Sequence, residues 1–406
     1  MYGLPLPPLN GGWNRMTETI NKNSKNFSSQ LKGTVKGFKD KTGKEAEKAS
    51  FIREVIKQTF ERYNFQEIET PIVEYEEFVR GSSDQGDEVI SDIFKLKDKG
   101  NRDLALRYEF TFQLKRILQN QKLPFKRFQI GPVFRDEPVK QNRFRQFTQC
   151  DIDTVGANIK DEAEILAATK EILEALKIKS TIYVNNRKLL NEILEEQKIK
   201  NKTEVIREID KLDKLPILEV KENLKKLNAE KILSVLKKPK EYFKKYKSFS
   251  EIEELIKYCK YYGFDVVFSP FLARGLSYYI GNVYEVKSDI KETICGGGAY
   301  KIKDIVSSGI SLSLERLMIV TKVLINIDKI LIVSLNQDKK AISLAKQLRR
   351  KGKNASVYFG KPSKALEYAN SYGIKKVIFV GSKEVKIRKF KIKDMKTGKE
   401  TLLKLS

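Results

Sequence analysis

Apolar residues recur at helical spacing in several stretches of the 406-residue chain. Residues 44–63 predict an amphipathic helix, because their apolar side chains fall on one stripe of a helical repeat. That stripe consists of Ala49, Ile52, Val55, Ile56 and Phe60. Residues 111–121 and 161–176 predict two more helices, and Asp161 near the start of the second suits a helix N-terminus.

Other stretches have the composition and spacing of strands. Residues 65–75 are strand-like, with Pro71 marking the end of the strand. Residues 93–103 predict two short charged strands around a tight turn. Residues 127–138 and 143–156 predict an antiparallel pair of strands, joined by a flexible polar loop.

The second half of the chain changes character twice. Residues 188–258 are dense in Lys, Glu and Leu at helical spacing, which predicts an inserted helical region. Strands resume over 265–300, including a glycine-rich turn at 296–298, and residues 310–320 predict a strand that leads into a helix. From Asp328 the pattern becomes βαβαβ with buried strands, followed by two short strands. This order predicts a separate α/β domain.

The charge is strongly basic and unevenly distributed. The formal net charge is +26 and the pI is about 9.6, which indicates a polyanionic partner such as nucleic acid. A lysine-rich genome would explain a uniform excess of positive charge. Residues 328–406, however, hold 21 Lys and Arg against 6 Asp and Glu, a net charge of +15. This concentration favours a phosphate-binding surface.

The rarer residue types narrow the possible chemistry. The chain contains no histidine, which excludes imidazole-based triads and histidine-ligated zinc sites. Cys150, Cys259 and Cys295 form neither a CxxC metal pair nor a disulfide framework, so a reducing, cytoplasmic setting is expected. No apolar run predicts a membrane span, and residues 1–25 are expected to be a disordered tail. An enzyme of this composition would work with carboxylates, arginines and backbone amides.

Four short segments could carry chemistry. In the predicted strand 143–156, Arg143, Arg145 and Phe147 would share one face. Two guanidinium groups beside a ring suit a nucleotide, because arginine binds phosphate and a base can stack on phenylalanine. A solvent-exposed charged strand is the simpler alternative. The other three segments are Arg274 with Tyr278 and Tyr279, the glycines at 296–298, and Leu314-Glu315-Arg316.

The usual phosphate-binding loops, GxGxxG and Walker A, are missing from the sequence. Nucleotide binding would therefore depend on arginines presented by a sheet. The glycines at 296–298 would let a backbone lie flat against a ligand, and a tight hairpin is the alternative reading.

Taken in order, these segments resemble the motifs of class II aminoacyl-tRNA synthetases, and in particular the histidyl-tRNA synthetase family. The helix and strand ending at Pro71 resemble the first class motif, a dimer interface. FRDE followed by RFRQF resembles the second motif, and GISLSLERL resembles the third. LARGLSYYIGNVYE and TICGGGAY resemble two motifs peculiar to the histidine enzymes.

The resemblance implies an α+β fold with an antiparallel catalytic sheet flanked by helices. The catalytic domain would comprise residues 26–187 and 259–326, interrupted by a helical insertion at 188–258. The tail at 1–25 would precede it, and a C-terminal α/β anticodon-binding domain would span 327–406.

The resemblance also implies roles for particular residues. Arg135 and Arg274 would be catalytic and would hold the α-phosphate of ATP from opposite sides. Glu137, Phe147 and Arg316 would complete the ATP site. Histidine would be bound by Glu109, Thr111, Gln149, Asp153, Tyr278, Tyr279, Gly296, Gly297 and Gly298.

Within the histidine site, Glu109, Thr111 and Gln149 would hold the α-amino group, while Asp153 and Tyr279 would bind the imidazole nitrogens. The three glycines would line the floor of the pocket. Because the substrate carboxylate is itself the nucleophile, such an enzyme needs positioning and charge neutralisation rather than a catalytic base.

The implied activity is ATP-dependent ligation of histidine to tRNA-His, with Mg²⁺ accompanying ATP and no metal held by the protein. A cytoplasmic homodimer without membrane association is expected. Contacts with tRNA would come from Lys140, Gln141, Asn142, Lys339, Lys346, Arg349, Arg350 and Arg388.

Two alternatives remain at this stage. A catalytically silent paralogue with a regulatory or histidine-sensing role would be expected to lose the motif arginines and the basic C-terminal domain, and this sequence retains both. A general RNA-binding protein would explain the charge, but it would not explain the combination of Glu109, Asp153 and Tyr279.

Overall fold

The computed structural model divides the chain into two compact units, with the boundary between Val323 and Leu324. The residues it describes are 33–80, 92–213, 215–274, 278–325, 327–387 and 389–403. The expected tail at 1–25 and the proposed tRNA contact Arg388 lie outside these ranges. Within them, no helix combines the length and apolar character needed to cross a bilayer.

The first unit is built on an eight-stranded sheet in the order β1-β5-β6-β11-β10-β9-β7-β8. Its six inner strands are antiparallel, and a short parallel strand flanks them at each edge. A smaller antiparallel sheet has the order β2-β4-β3. The strands are β1 (Gln66–Glu67), β2 (Val73–Tyr75), β3 (Lys95–Lys97), β4 (Asp103–Leu106), β5 (Phe125–Phe134), β6 (Gln146–Val155), β7 (Thr181–Asn186), β8 (Val267–Phe268), β9 (Tyr279–Lys287), β10 (Cys295–Ile302) and β11 (Ile305–Ser313).

Helices pack around these sheets, and most of them share one apolar core with the large sheet. They are α1 (Gly43–Arg62), α2 (Glu76–Arg80), α3 (Thr111–Ile117), α4 (Ile159–Ala175), α5 (Arg187–Glu196), α6 (Lys202–Asp210), α7 (Ile217–Lys226), α8 (Ile232–Leu236), α9 (Phe249–Tyr261) and α10 (Leu314–Val320). One continuous apolar cluster joins Ile56 of α1, Ile152 of β6, Leu166 of α4 and Leu255 of α9. The helices of the predicted insertion contribute to the same cluster, because their buried side chains pack into the same core.

Several helices form where their sequences predict them. The predicted helix 44–63 corresponds to α1, whose Ile52, Ile56 and Phe60 are fully buried. In α4 the side chain of Asp161 accepts a hydrogen bond from the backbone of Asn158 at 2.9 Å, and the Asn158 side chain accepts from the backbone of Lys160. This capping arrangement satisfies amides that the first turn leaves without helical partners.

Three local predictions for the first unit were wrong. The glycines at 296–298 lie inside β10 rather than in a turn, because both neighbouring strands pair with them. The stretch 65–75 contributes β1 and β2 to two different sheets. The strand predicted over 143–156 begins only at Gln146, since the backbone of Arg145 instead donates to the carbonyl of Gly37.

The second unit contains the five-stranded sheet β13-β12-β14-β15-β16. Its elements are β12 (Lys329–Ser334), α11 (Asp338–Arg350), β13 (Asn354–Phe359), α12 (Pro362–Ser371), β14 (Lys376–Val380), α13 (Ser382–Ile387), β15 (Lys391–Asp394) and β16 (Glu400–Leu402). The predicted βαβαβ order is confirmed, with β13, β12 and β14 parallel and the last two strands antiparallel. Strand β13 was expected to be buried, but it lies at the edge and is partly exposed.

Candidate active site

Side chains from several strands of the first unit meet around a cavity of about 220 Å³. This volume holds a ligand rather than a single water molecule. Strand β6 supplies one wall, because alternate residues of a strand face the same side. Its contributions are Phe147, Gln149, Asp151 and Asp153.

Glycines make room for the side chains that border this cavity. A Cβ on Gly296 would come within 2.3 Å of Nη1 of Arg274, and one on Gly297 within 2.0 Å of the Gly309 carbonyl oxygen. A Cβ on Gly298 would lie 2.8 Å from the ring of Tyr279. Gly296 and Gly297 line the cavity, whereas Gly298 lies against Tyr279 and the backbone of Asn282. These glycines therefore accommodate protein atoms as well as bordering the ligand space.

At one end of the cavity, Arg135 is held by aromatic rings. Its guanidinium carbon lies 4.4 Å from the centre of the Tyr108 ring and 5.1 Å from that of Phe147. Its Nη2 donates to Oε1 of Gln149 at 3.5 Å. Its buried Nε has no hydrogen-bond partner among the described residues, so this donor is available to a ligand.

Arg274 is a second arginine that lines the cavity. Its Nη1 donates to Oε1 of Glu285 at 2.9 Å, while its buried Nε lacks a partner among the described residues. The backbone of Arg274 has a φ of 49°, in the left-handed region that a residue with a Cβ seldom adopts. Such strain is concentrated at functional sites, where the surrounding structure holds it in place.

Arg316 is placed by the start of α10. The Ser313 side chain accepts a hydrogen bond from its backbone amide, and Nη1 of Arg316 donates to the carbonyl of Thr293 at 2.5 Å. The preceding Glu315 accepts from the backbone amide of Thr148 at 2.9 Å and pairs with Lys41 at 2.6 Å. The strand-to-helix junction is thus tied to both β6 and the segment that precedes α1.

Carboxylates also line the cavity, and we call the part around Glu109, Asp151 and Asp153 its carboxylate end. Burial, with a further contribution from Asp151, raises the pKa of Glu109 to about 7, although the guanidinium of Arg135 opposes that shift. Burial also raises the pKa of Asp151 to about 6, and Arg127 opposes it. Oε1 of Glu109 and Oδ1 of Asp151 have no hydrogen-bond partner among the described residues. These oxygens can accept from a cationic or hydrogen-bonding ligand.

Asp153 sits in a row of residues that crosses the sheet. It is paired with Arg127 of β5 on one side and with Gly309 of β11 on the other. Its Oδ2 lies 2.8 Å from Nη2 of Arg127, and its Oδ1 accepts a hydrogen bond from the Tyr300 hydroxyl. Burial raises the pKa of Asp153, while Arg127 and Tyr300 both favour the ionised carboxylate.

The structure brings most of the predicted small-molecule site together. The predicted residues that line the cavity are Glu109, Thr111, Arg135, Glu137, Phe147, Gln149, Asp153, Arg274, Tyr278, Tyr279, Gly296, Gly297 and Arg316. Arg143 also lines it and pairs with Glu137 at 3.2 Å. Arg145 was expected to share that face but lies against Gly37 and pairs with Asp136 at 3.2 Å, because strand geometry begins after it.

The predicted tRNA contacts fall into separate groups. Lys140, Gln141 and Asn142 lie between β5 and β6, and Asn142 borders the cavity. In the second unit, Lys339, Lys346, Arg349 and Arg350 are exposed on α11. On that helix the buried residues are Ala341, Leu344, Ala345 and Leu348.

Sequence reasoning missed three residues of the carboxylate end. Asp151 is not among the predicted site residues, although the two-residue alternation from Phe147 onwards would place it on the same face. Tyr300 is two positions beyond the glycines and reaches Asp153 across the sheet. No pattern in the sequence indicates that Arg127 is buried next to Asp153.

Comparisons with known proteins assign the two units. Residues 37–317 match the family model for histidyl-tRNA synthetase, and residues 329–406 match that for an anticodon binding domain. Histidine–tRNA ligase 1 of Bacillus anthracis is 33% identical over 92% of this chain and 97% of that protein.

Solved structures agree on the fold. A histidyl-tRNA synthetase from Nostoc sp. PCC 7120 matches with a TM-score of 0.79 and 27% identity over 91% of this chain and 96% of that one. An ATP phosphoribosyltransferase regulatory subunit/histidyl-tRNA synthetase from Bacillus halodurans C matches with a TM-score of 0.71 and covers 86% of this chain and 97% of that one. At 20% identity, the second match shows the fold alone.

An antiparallel sheet that presents arginines to a cavity, joined to an anticodon-binding domain, defines a class II aminoacyl-tRNA synthetase. The match of residues 37–317 to one family model then identifies the particular synthetase family. The chain belongs to the histidyl-tRNA synthetase family.

Proposed function

We propose that this protein is a histidine–tRNA ligase that works in two steps. It activates histidine with ATP to give histidyl-adenylate and pyrophosphate, and it then transfers the histidyl group to the 3′ end of tRNA-His. The ligase class and the use of ATP follow from membership of the family. The assignment of individual residues to each step is our proposal.

The observation that carries this proposal is the set of unpartnered buried atoms around one cavity. Nε of Arg135 and Nε of Arg274 are donors, whereas Oε1 of Glu109 and Oδ1 of Asp151 are acceptors. Buried polar atoms in proteins nearly always have partners, so these atoms indicate a bound ligand. A ligand with phosphate at one end and an ammonium group at the other would satisfy both sets.

For ATP, Arg135 and Arg274 would grip the α-phosphate from opposite sides. Phe147 would stack against the adenine ring, and Glu137 would accept from its amino group. Arg316 would contact the other face of the ring or the γ-phosphate. The fixed positions of these arginines support this arrangement, because groups that are already oriented need no reorganisation during the reaction.

For histidine, Glu109, Thr111 and Gln149 would bind the α-amino group. Asp153 and Tyr279 would bind the imidazole nitrogens, while Tyr278, Gly296, Gly297 and Gly298 would shape the pocket around the ring. A site that hydrogen-bonds both nitrogens rejects analogues that lack them, because its buried polar groups would be left unpaired. The aromatic cluster supports this role, since the Tyr278 ring lies 4.6 Å from Tyr279 and 6.0 Å from Tyr300.

The activation step needs no base from the protein. The histidine carboxylate attacks the α-phosphorus of ATP, an O–P bond forms, and the bond to the pyrophosphate leaving group breaks. Arginines beside the α-phosphate would stabilise the charge that develops there, and the carboxylates at the far end would orient the nucleophile. The absence of histidine from the chain is therefore no obstacle to this chemistry.

Magnesium would enter as part of the ATP substrate, where it neutralises phosphate charge. The phosphate end of the cavity presents the guanidinium groups of Arg135, Arg274 and Arg316. The carboxylates that also line it, Glu137 and Glu315, pair with Arg143 and Lys41. The guanidinium groups suit phosphate oxygens rather than a metal ion. We therefore assign the coordination of Mg²⁺ to ATP and water, with no protein ligand.

The proposed partners are tRNA-His and a second copy of the chain. Lys140, Gln141 and Asn142 would contact the acceptor end, while the basic residues of the second unit would contact the anticodon arm. Exposed apolar side chains near β2 support a homodimer, since Ile72 is 42%, Val73 44% and Tyr75 58% exposed. Contiguous exposed apolar surface is typical of protein interfaces. We place the enzyme in the cytoplasm, where the three free, buried cysteines stay reduced.

The test is ATP–pyrophosphate exchange with each of the twenty amino acids in turn. Exchange that depends on histidine alone is expected. Exchange supported by a different amino acid, or none with histidine, would overturn the proposal. Binding of histidine without exchange would instead identify a silent regulatory paralogue, a possibility raised by the fold of the Bacillus halodurans C protein.

A further inference from the structure

A fully buried arginine lies next to the carboxylate end of the cavity. Arg127 of β5 is 0% exposed and is paired across the sheet with Asp153. Its Nη2 lies 2.8 Å from Oδ2 of Asp153, and the same atom donates to the carbonyl of Phe110 at 3.4 Å. Burying a guanidinium costs free energy unless a nearby negative charge offsets it, so the burial of Arg127 needs a physical explanation.

The reason lies in the local balance of charge. Asp151 and Asp153 alternate along β6 and both face the cavity, which puts two buried carboxylates next to one another. Together with Arg127, which pairs with Asp153, these carboxylates carry a net charge of −1 instead of −2. The other arginines at the cavity have different partners. These pairs are Arg274 with Glu285, Arg143 with Glu137, Arg316 with the Thr293 carbonyl, and Arg135 with the Gln149 side chain.

The geometry also fixes how Asp153 is oriented. Arg127 occupies one side of its Oδ2, and the Tyr300 hydroxyl donates to its Oδ1. Gly309 leaves space for this carboxylate, because a Cβ there would lie 2.0 Å from Oδ1. An ionised carboxylate has about four acceptor positions, so both oxygens keep capacity for a donor from the cavity.

We propose that Arg127 is a positioning residue for recognition of the substrate's imidazole ring. It holds Asp153 as an oriented, charged acceptor and offsets the second carboxylate of Asp151, without itself contacting the substrate. This inference rests on the proposed function, in which Asp153 binds the histidine side chain. The selectivity of the pocket then depends on the positive charge of Arg127, which is buried in the neighbouring strand β5.

The test compares kinetic constants for histidine and ATP in pyrophosphate exchange by the full-length enzyme. Arg127→Met should raise KM for histidine by at least about tenfold, as is typical when one partner of a buried charge pair is removed. KM for ATP should change much less, because the phosphate end keeps its arginines. Arg127→Lys should recover part of the loss, since it restores the positive charge with poorer geometry.

A charge-matched double variant separates positioning from simple packing. Asp151→Asn should raise KM for histidine less in Arg127→Met than in the wild type, because in Arg127→Met it also removes an unbalanced negative charge. The double variant, Arg127→Met with Asp151→Asn, keeps the net charge of −1. It also covers the case in which Arg127→Met fails to fold, because it leaves no excess of buried negative charge. Arg187→Met removes another buried arginine, from α5, and serves as the control for loss of a buried guanidinium.

The outcomes are distinct. If the wild-type enzyme shows no exchange with histidine, the proposed function fails. If the wild type is active and Arg127→Met leaves KM for histidine unchanged, the role of Arg127 is refuted. It is also refuted if Asp151→Asn raises KM for histidine as much in Arg127→Met as in the wild type. Equal increases in KM for histidine and ATP would also refute it, because they would indicate general distortion.

Discussion

The two units of this protein handle charge in opposite ways. The first buries ionisable side chains around its cavity, including Glu109, Arg127, Asp151 and Asp153. In the described part of the second unit, Ser334 is the buried polar residue, and the many lysines and arginines of that unit lie towards solvent. A buried charge must have a partner at a defined position, whereas solvated charges act together as a field.

This contrast suits the two kinds of ligand. A small substrate is recognised by a few groups held at fixed distances, such as Nη1 of Arg274 at 2.9 Å from Oε1 of Glu285. A polynucleotide offers many similar phosphates, so an array of exposed cations on α11 can bind it without unique geometry. The loss of one group should therefore matter far more in the first unit than in the second.

Removing Arg274 should have the largest effect. Arg274→Ala should lower kcat/KM for histidine-dependent exchange by about 10²–10³-fold, because a preorganised cation next to the reacting phosphate is lost. Arg102→Ala, which removes an exposed arginine paired with Asp98, is the matched control and should retain activity. Normal exchange by a folded Arg274→Ala enzyme would contradict the expectation that the loss of a single group at the cavity has a large effect.

Replacing Asp153 by the isosteric Asn should have the next largest effect. KM for histidine should rise by about tenfold, because a buried donor of the substrate would lose its charged acceptor. Measuring exchange at varied histidine and saturating ATP gives this constant directly. If KM for histidine did not change, Asp153 would not be a residue that binds histidine.

The exposed cations of α11 should have a smaller, cumulative effect. Replacing Lys339, Lys346 and Arg350 together by Gln should raise KM for tRNA several-fold and leave exchange unaffected. The salt dependence of tRNA binding should fall by about one unit of slope per lost phosphate contact. Triple substitution of the exposed Lys160, Lys177 and Lys179 by Gln changes the net charge equally and tests whether location matters. Equal effects of the two triple variants would mean that tRNA binding depends on the net charge of the protein and not on where the cations lie.

The last expected effect concerns stability rather than activity. Burial raises the pKa of Glu162 to about 8, although a hydrogen bond from Asn282 at 2.9 Å opposes the shift. Since this value lies above the usual 4.5, the folded protein keeps a proton that the unfolded chain releases. The resulting stability is complete below about 4.5 and is lost as the pH rises through about 8.

Glu162→Gln should therefore unfold at a higher temperature than the wild type at pH 9 and at a similar temperature at acidic pH. The difference should be on the order of a few kcal/mol, and thermal melts across this pH range would measure it. Glu174→Gln, at an exposed position of the same helix, should follow the wild-type profile. Parallel profiles for all three proteins would mean that folding does not shift the pKa of Glu162.

Several parts of the fold were predictable because they depend on local periodicity. The apolar stripe on α1 and the βαβαβ order of the second unit follow from spacing along the chain. The glycines at 296–298 were misread as a turn, because glycine permits both a turn and a crowded strand. Only the approach of Arg274, Gly309 and Tyr279 shows why side chains are excluded there.

By itself, the sequence determined the family motifs, the order of elements, the concentration of positive charge and the candidates for the phosphate end of the cavity. The tertiary structure decided which of these residues meet. Alternation along β6 puts Asp151 and Asp153 on one face, but the pairing of β5 with β6 brings Arg127 to Asp153, and the pairing of β6 with β11 supplies the gap at Gly309. Strand register depends on contacts between distant segments, whereas the spacing of residues along one strand does not.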